Sequence, residues 1–258
     1  MVEPNHLKLG IKVIILAGGY AKRLWPLTFD RPKSLLTVSG KPIIDYIIEK
    51  LDDVGLKDVI VSTNKKFEPD FKKWLDRSGR GNVRLEVEES RSEKEKLGAI
   101  RALSMLTSNI LDDCMVIAGD NLFTSDLKGI LRMFDELRSP IVGLYDVKST
   151  DLARSFATVE IDDNNRIISF TEKPEQPETT LIGTCLYIFP NRTLSRLTEY
   201  LSWNLNKDAP GRFIEWLSKR EPVYGYILGG KWWDIGTTRS YKEACDFFKD
   251  ACEFLNKT

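Results

Sequence analysis

The sequence predicts an α/β fold, a mainly parallel sheet flanked by helices, on three observations. Short apolar runs alternate with amphipathic segments of helical period through the first half of the chain. Two of those runs, at 11–15 and 114–118, lead into the glycine turns Gly18-Gly19 and Gly119-Asp120-Asn121, as buried strands do on leaving a sheet. The 258 residues suffice for one large domain with a sizeable core.

Taken in order, Ile11-Lys12-Val13-Ile14-Ile15 is short and β-branched, a buried first strand. Pro42 opens a helix over roughly 42–54, with Ile43, Ile44, Ile47, Ile48 and Leu51 on one face and Gly55 as its stop. Residues 58–63 and 83–87 read as strands, 67–76 and 95–106 as helices, 114–118 as a fourth strand and 126–137 as a helix. Alternation of this kind implies parallel pairing, with ligands at the carboxyl ends of the strands. Both glycine turns fall at carboxyl ends, positioned to line one crevice. The second half turns β-rich, with strands at 141–147, 156–161, 167–170 and 181–189 and a hairpin turn at Asp162-Asp163-Asn164-Asn165. Helices at 191–202 and 211–219, a strand at 223–228, the segment Trp232–Thr237 and an amphipathic helix over 239–254 follow. No Pro-, Gly- or Ser-rich linker divides the chain, and no six-residue period follows residue 237. One domain over 1–258 without a C-terminal β-helix is therefore expected.

Lys plus Arg and Asp plus Glu number 38 each, so the net charge is zero. That argues against a nucleic-acid or membrane-surface partner, both of which call for a basic excess. No apolar run approaches transmembrane length, and residues 1–10 lack the apolar segment of a signal peptide. Cys114, Cys185, Cys245 and Cys252 show no CxxC spacing, and Cys245 and Cys252 share a helix face. His6 is the single histidine and reads as a solvated tail residue, which disfavours a zinc site. A reduced, cytoplasmic protein is expected.

Residues 16–36 carry the most chemistry. Glycines without side chains let backbone N–H groups approach a polyphosphate, and Arg23 and Lys33 add two cations. The bland alternative, two solvated loop cations, loses weight because Pro26 and Pro32 fix the route of the chain between them.

Four segments in order, Leu16–Leu36, Ala118-Gly119-Asp120-Asn121, Phe170-Thr171-Glu172-Lys173-Pro174 and Trp233-Asp234-Ile235-Gly236-Thr237, make the sequence resemble the sugar-phosphate nucleotidyltransferases, or nucleotide-sugar pyrophosphorylases. The form is similar to the short single-domain type typified by glucose-1-phosphate thymidylyltransferases. The resemblance implies a Rossmann-like sheet, with a nucleotide-binding part at about 10–140, a smaller β-rich sugar-phosphate-binding part at about 141–230, and a closing metal-site turn and helix at 231–258. It implies attack of a sugar-1-phosphate oxygen on the α-phosphorus of a nucleoside triphosphate, with Arg23 and Lys33 as the catalytic cations. Nucleotide contacts would come from Leu16, Ala17, Gly18, Gly19, Arg23, Glu89, Gly98 and Gly119. Sugar-phosphate contacts would come from Ala157, Glu172 and Lys173, and Mg2+ would be held by Asp120 and Asp234. A phosphate monoester with a second pKa near ~6 is already anionic and needs no general base, which fits motifs without histidine.

The chain departs from the family at Ala21-Lys22, where Gly-Thr is usual, and at Glu95-Lys96-Leu97-Gly98-Ala99, ahead of the helix near the nucleoside. Ala157 and Cys185 stand at further positions where glycine is frequent. Glu88 and Glu89 stand where a glutamine often reads a pyrimidine; a carboxylate can accept from uracil, thymine or guanine. UTP or dTTP with glucose-1-phosphate is the expectation, with mannose-1-phosphate guanylyltransferase as the alternative. A non-catalytic binder of nucleotide or sugar phosphate would have lost part of the set Arg23, Lys33, Asp120 and Asp234, and all four are present. Family precedent also makes a homo-oligomer an expectation.

Overall fold

The computed structural model describes residues 10–255, with side chains as far as Lys249. His6 and the Cys252 side chain lie outside the described residues. The chain opens with β1 (Ile11–Leu16), whose Val13, Ile14 and Ile15 are fully enclosed, as in a strand covered on both faces. Two 3-10 turns, Lys22–Leu24 and Lys33–Leu35, and a small hairpin of β2 (Thr37–Val38) and β3 (Lys41–Pro42) lead to α1 (Ile43–Asp52). Then come β4 (Val59–Asn64), α2 (Glu68–Ser78), β5 (Val83–Glu88), α3 (Ala99–Thr107), β6 (Asp113–Ala118), β7 (Asn121–Phe123) and α4 (Lys128–Leu137). The second half runs β8 (Ile141–Asp146), α5 (Thr150–Ala153), β9 (Ala157–Ile161), β10 (Ile167–Glu172), β11 (Leu181–Phe189), α6 (Asn191–Ser202) and α7 (Pro210–Ser218). It closes with β12 (Tyr224–Ile227), β13 (Trp232–Asp234) and α8 (Thr238–Leu255).

Nine of these strands form one sheet, with the path β10-β9-β11-β6-β1-β4-β5 and with β8 between β11 and β12 off that path. The pairs β6-β1, β1-β4 and β4-β5 are parallel. β11 runs antiparallel to β6, β8 and β9 and so joins the β-rich half to the parallel half. Two buried clusters cover the two faces, one under α1, α2 and α4 and the other under α3, α6 and α7. From β1 the chain first moves outward to β4 and β5 and then returns to β6 on the other side. That reversal opens a crevice at the carboxyl ends of β1 and β6, where both glycine turns emerge. Among the described residues no helix is long and apolar enough to cross a membrane.

Three elements differ from the sequence expectation. The helix expected from residue 95 starts at Ala99, because the preceding backbone is engaged locally. The Glu95 carboxylate accepts from the Arg91 N–H at 2.8 Å and the Ser92 hydroxyl at 2.9 Å, and Leu97 N–H donates to Glu88 Oε1 at 2.9 Å. Gly98 then adopts φ 91, and a Cβ there would come within 2.5 Å of the Lys207 carbonyl, so only glycine fits. β10 extends two residues past Phe170 and carries Glu172 on its last position. The antiparallel pair β7-β13, unforeseen from the sequence, sets Asp234 opposite Asn121.

The apolar face of α8 packs inward. Tyr241, Ala244, Cys245 and Phe248 join a third cluster built on Leu24, Leu36, Val38, Ile43, Leu122 and Ile235.

Candidate active site

That third cluster explains how four charged residues distant in sequence come together. Each is followed, within three residues, by an apolar side chain buried in it: Arg23 by Leu24, Lys33 by Leu36, Asp120 by Leu122 and Asp234 by Ile235. Burying these anchors fixes where the charges emerge. The β7-β13 pairing adds Ile235 N–H to Asp120 O at 3.0 Å, and Trp232 Nε1–H donates to Asn121 Oδ1 at 2.7 Å.

The glycine loop after β1 is pinned on both sides. Ala17 N–H donates to Ser62 O at 2.7 Å, Gly119 N–H to Leu16 O at 2.8 Å, and Asn64 Nδ2 to Gly18 O at 2.8 Å. Ala21 sits in the left-handed region at φ 46 and ψ 43, which explains why glycine is usual at this position. Its carbonyl accepts from the Thr28 hydroxyl at 2.8 Å, which helps hold the turn.

A cavity of about 450 Å³ opens beside the anchored charges, and Arg23, Asp120, Ala157, Glu172, Lys173 and Asp234 all line it. Lys33 supports the pair of aspartates: its ammonium forms an ion pair with Asp120 and lies 3.9 Å from Asp234 Oδ1. Burial lowers the affinity of Lys33 for its proton, yet Asp120 and Asp234 outweigh that and hold it above its ordinary value. Burial pushes the Asp120 carboxyl up, and Lys33 more than reverses this, leaving it below the usual range. Asp234 goes the other way, to about 6, through burial and then the adjacent Asp120 charge. Two neighbouring carboxylates, one of them resisting ionisation, form a site that a divalent cation would relieve; hard oxygen ligands of this kind, completed by phosphate and water, suit Mg2+.

At the other wall of the cavity, burial raises the Glu172 carboxyl against the opposing pull of Lys173 and Arg212. The Glu172 carboxylate lies against Gly211, where any Cβ would collide with it. Lys173 takes φ 49, and its N–H donates to Phe156 O at 3.1 Å. Gly183, Cys185 and Tyr187 occupy alternate positions on one face of β11 and form the cavity wall. Burial pushes the Cys185 thiol up to about 12 and the Tyr187 phenol well above its ordinary value.

Of the expected nucleotide residues Arg23 lines this cavity, whereas Leu16, Ala17, Gly18, Gly19, Glu89, Gly98 and Gly119 do not. The Glu89 side chain is 82% exposed, 3.7 Å from Lys65, and Gly98 is covered by Lys207. Sequence reasoning also missed residues that shape the site, among them Asn121, Gly211 and, in the first two turns of α8, Arg239, Ser240 and Glu243, which line the cavity. Gly211 left a readable signal: a glycine one residue inside a helix that Pro210 opens disfavours the helix and calls for a packing reason.

The fold and the charged cavity define a class. Residues 12–251 match the family model described as nucleotidyl transferase, and the chain belongs to that family. The Bifunctional protein GlmU of Methanocaldococcus jannaschii is 31% identical over 92% of this chain and 54% of that protein. Mannose-1-phosphate guanylyltransferase of Mycobacterium tuberculosis is 28% identical over 90% of this chain and 62% of that protein. The chain thus spans only part of the length of these relatives. Among solved structures, a Bacillus anthracis chain assigned as a glucose-1-phosphate thymidylyltransferase, crystallised with sucrose, superposes with a TM-score of 0.79 at 26% identity. That likeness covers 92% of this chain and 94% of the other.

Proposed function

We propose that this protein transfers a nucleotidyl group from a nucleoside triphosphate to a sugar-1-phosphate, releasing pyrophosphate. One observation carries the reading: Arg23, Asp120, Glu172, Lys173 and Asp234 line a single cavity, with Lys33 paired to the aspartates. The phosphate oxygen of the sugar attacks the α-phosphorus, an O–P bond forms, and the bond to the β-phosphate oxygen breaks. The attacking sugar-phosphate oxygen is anionic at neutral pH, so the chain has to align two anions and neutralise charge rather than remove a proton. Arg23 faces the triphosphate, Lys33 supplies positive charge beside the transferring phosphoryl group, Lys173 binds the sugar phosphate, and Glu172 accepts from sugar hydroxyls. Asp120 and Asp234 would hold Mg2+, which supplies further neutralisation of the phosphates.

UTP or dTTP with glucose-1-phosphate is the preferred substrate pair. Mannose-1-phosphate with GTP is the rival, supported by guanylyltransferase relatives at similar identity. Action in the cytoplasm is part of the same proposal, in keeping with the free thiols of Cys114, Cys185 and Cys245. The test is pyrophosphate release with Mg2+ across five nucleoside triphosphates and several sugar-1-phosphates. A signal with one pair well above the others identifies the substrates; silence with every pair would favour a non-catalytic binder.

A further inference from the structure

Two of the departures from the family pattern, Lys22 and the segment around Lys96, are joined by ion pairs. Lys22 Nζ lies 2.5 Å from Glu93 Oε2, Lys96 Nζ lies 3.6 Å from Glu93 Oε1, and the same Lys96 Nζ lies 2.6 Å from Asp208 Oδ2. The chain of charges therefore runs from the phosphate loop, across the segment after β5, to the segment between α6 and α7. Lys22 belongs to the 3-10 turn Lys22–Leu24 and is the immediate neighbour of Arg23, which faces the cavity.

We propose that Lys22 is a third triphosphate-binding cation, held by Glu93 until the triphosphate arrives and then transferred to it. This rests on the nucleotidyl-transfer reading above. The partition of the Glu93 carboxylate supports the exchange: one oxygen takes Lys22 and the other faces Lys96, so Glu93 keeps a cation when Lys22 leaves. Lys96 in turn keeps Asp208. Lys22 has Glu93 as its one ion-pair partner among the described residues, so its departure is favoured only by a stronger anion. A triphosphate is one, because it offers several oxygens and a multiple charge where an exposed carboxylate offers one. The left-handed Ala21 fixes the direction of the loop into this turn, and the lysine stem supplies the reach.

The test compares binding of UTP, dTTP, GTP, inorganic tripolyphosphate and the corresponding nucleosides to the wild type, Lys22→Gln, Glu93→Gln and the double variant, by calorimetry, with steady-state kinetics alongside. Lys22→Gln is expected to weaken triphosphate and tripolyphosphate binding about tenfold, the loss of one charge-assisted contact. Nucleoside binding and turnover at saturation should stay within about twofold of the wild type. Glu93→Gln should tighten triphosphate binding about two- to threefold by removing the competitor, an effect absent in the Lys22→Gln background, and Lys22→Arg should restore affinity. Unchanged triphosphate affinity in Lys22→Gln, or equal weakening of nucleoside and triphosphate, would overturn the exchange while leaving the nucleotidyl-transfer reading intact. A wild type that binds tripolyphosphate but no nucleotide would overturn that reading instead, and the tripolyphosphate arm would still decide the role of Lys22.

Discussion

Asp120 and Asp234 are the same residue type at adjacent strand ends, yet their carboxyls are displaced in opposite directions because Lys33 sits much closer to Asp120. Asp234 therefore bears the cost of burial beside a second carboxylate that has taken most of the Lys33 charge. With its carboxyl raised to about 6, metal-free protein is destabilised as pH rises from the usual carboxylate range through 6, and fully so above it. Asp234→Asn removes that penalty. It should abolish pyrophosphate release while raising the denaturation free energy in chelator at pH 7.5 on the order of 2 kcal/mol. The gain should vanish towards pH 4; denaturant melts at the two pH values, set against an activity assay, check both halves. Lys33→Ala acts on the same group. Turnover should fall about a hundredfold with little change in substrate affinity, measured by steady-state kinetics, and stability should fall by about 3 kcal/mol as the buried ion pair loses its cation.

At the scale of elements, strand ends and helix starts decide what the charges can reach. β10 delivers Glu172 to the cavity only because it runs two residues beyond its apolar stretch, and α7 accommodates that carboxylate only because Gly211 has no side chain. Gly211→Ala should displace Glu172 while costing helix α7 nothing in propensity. The expected outcome is a rise of about tenfold in the KM for sugar-1-phosphate, with nucleoside triphosphate affinity unchanged and a melting temperature within a few degrees. Equal effects on both substrates would remove Glu172 from the sugar side. The late start of α3 belongs to the same scale. Its period was legible, but Glu88 and Glu95 take backbone N–H groups of the segment before it, and the Lys207 carbonyl takes the Ile100 N–H of its first turn; Glu88 and Lys207 are tertiary neighbours.

For the molecule as a whole, ligand binding should be visible as stability. On the proposed reading a triphosphate with Mg2+ would draw on both the β1 loop and the β7-β13 pair, which is a two-stranded sheet of its own. At a hundredfold excess over its dissociation constant it should raise the melting temperature by about 5–10 °C. Asp120→Asn should lose most of that increase, as read by a thermal shift assay with and without chelator. The sugar-1-phosphate alone would, on the same reading, engage chiefly Glu172 and Lys173 of the β-rich half and should give a smaller shift.

The alternation of strands and helices and the two glycine turns at strand ends were legible in the sequence, because periodicity and turn chemistry are local properties of the chain. So were Arg23, Lys33, Asp120 and Asp234 as residue types suited to phosphate and metal. The β7-β13 pairing, the covering of Gly98 by Lys207, the seat of Glu172 against Gly211 and the pairing of Lys22 with Glu93 were decided only by the tertiary structure. Each joins residues far apart in sequence, through backbone partners or close approaches that leave no periodic trace. The same distinction separates the two aspartates: the sequence identified both as carboxylates, and packing around Lys33 made one reluctant to ionise and the other not.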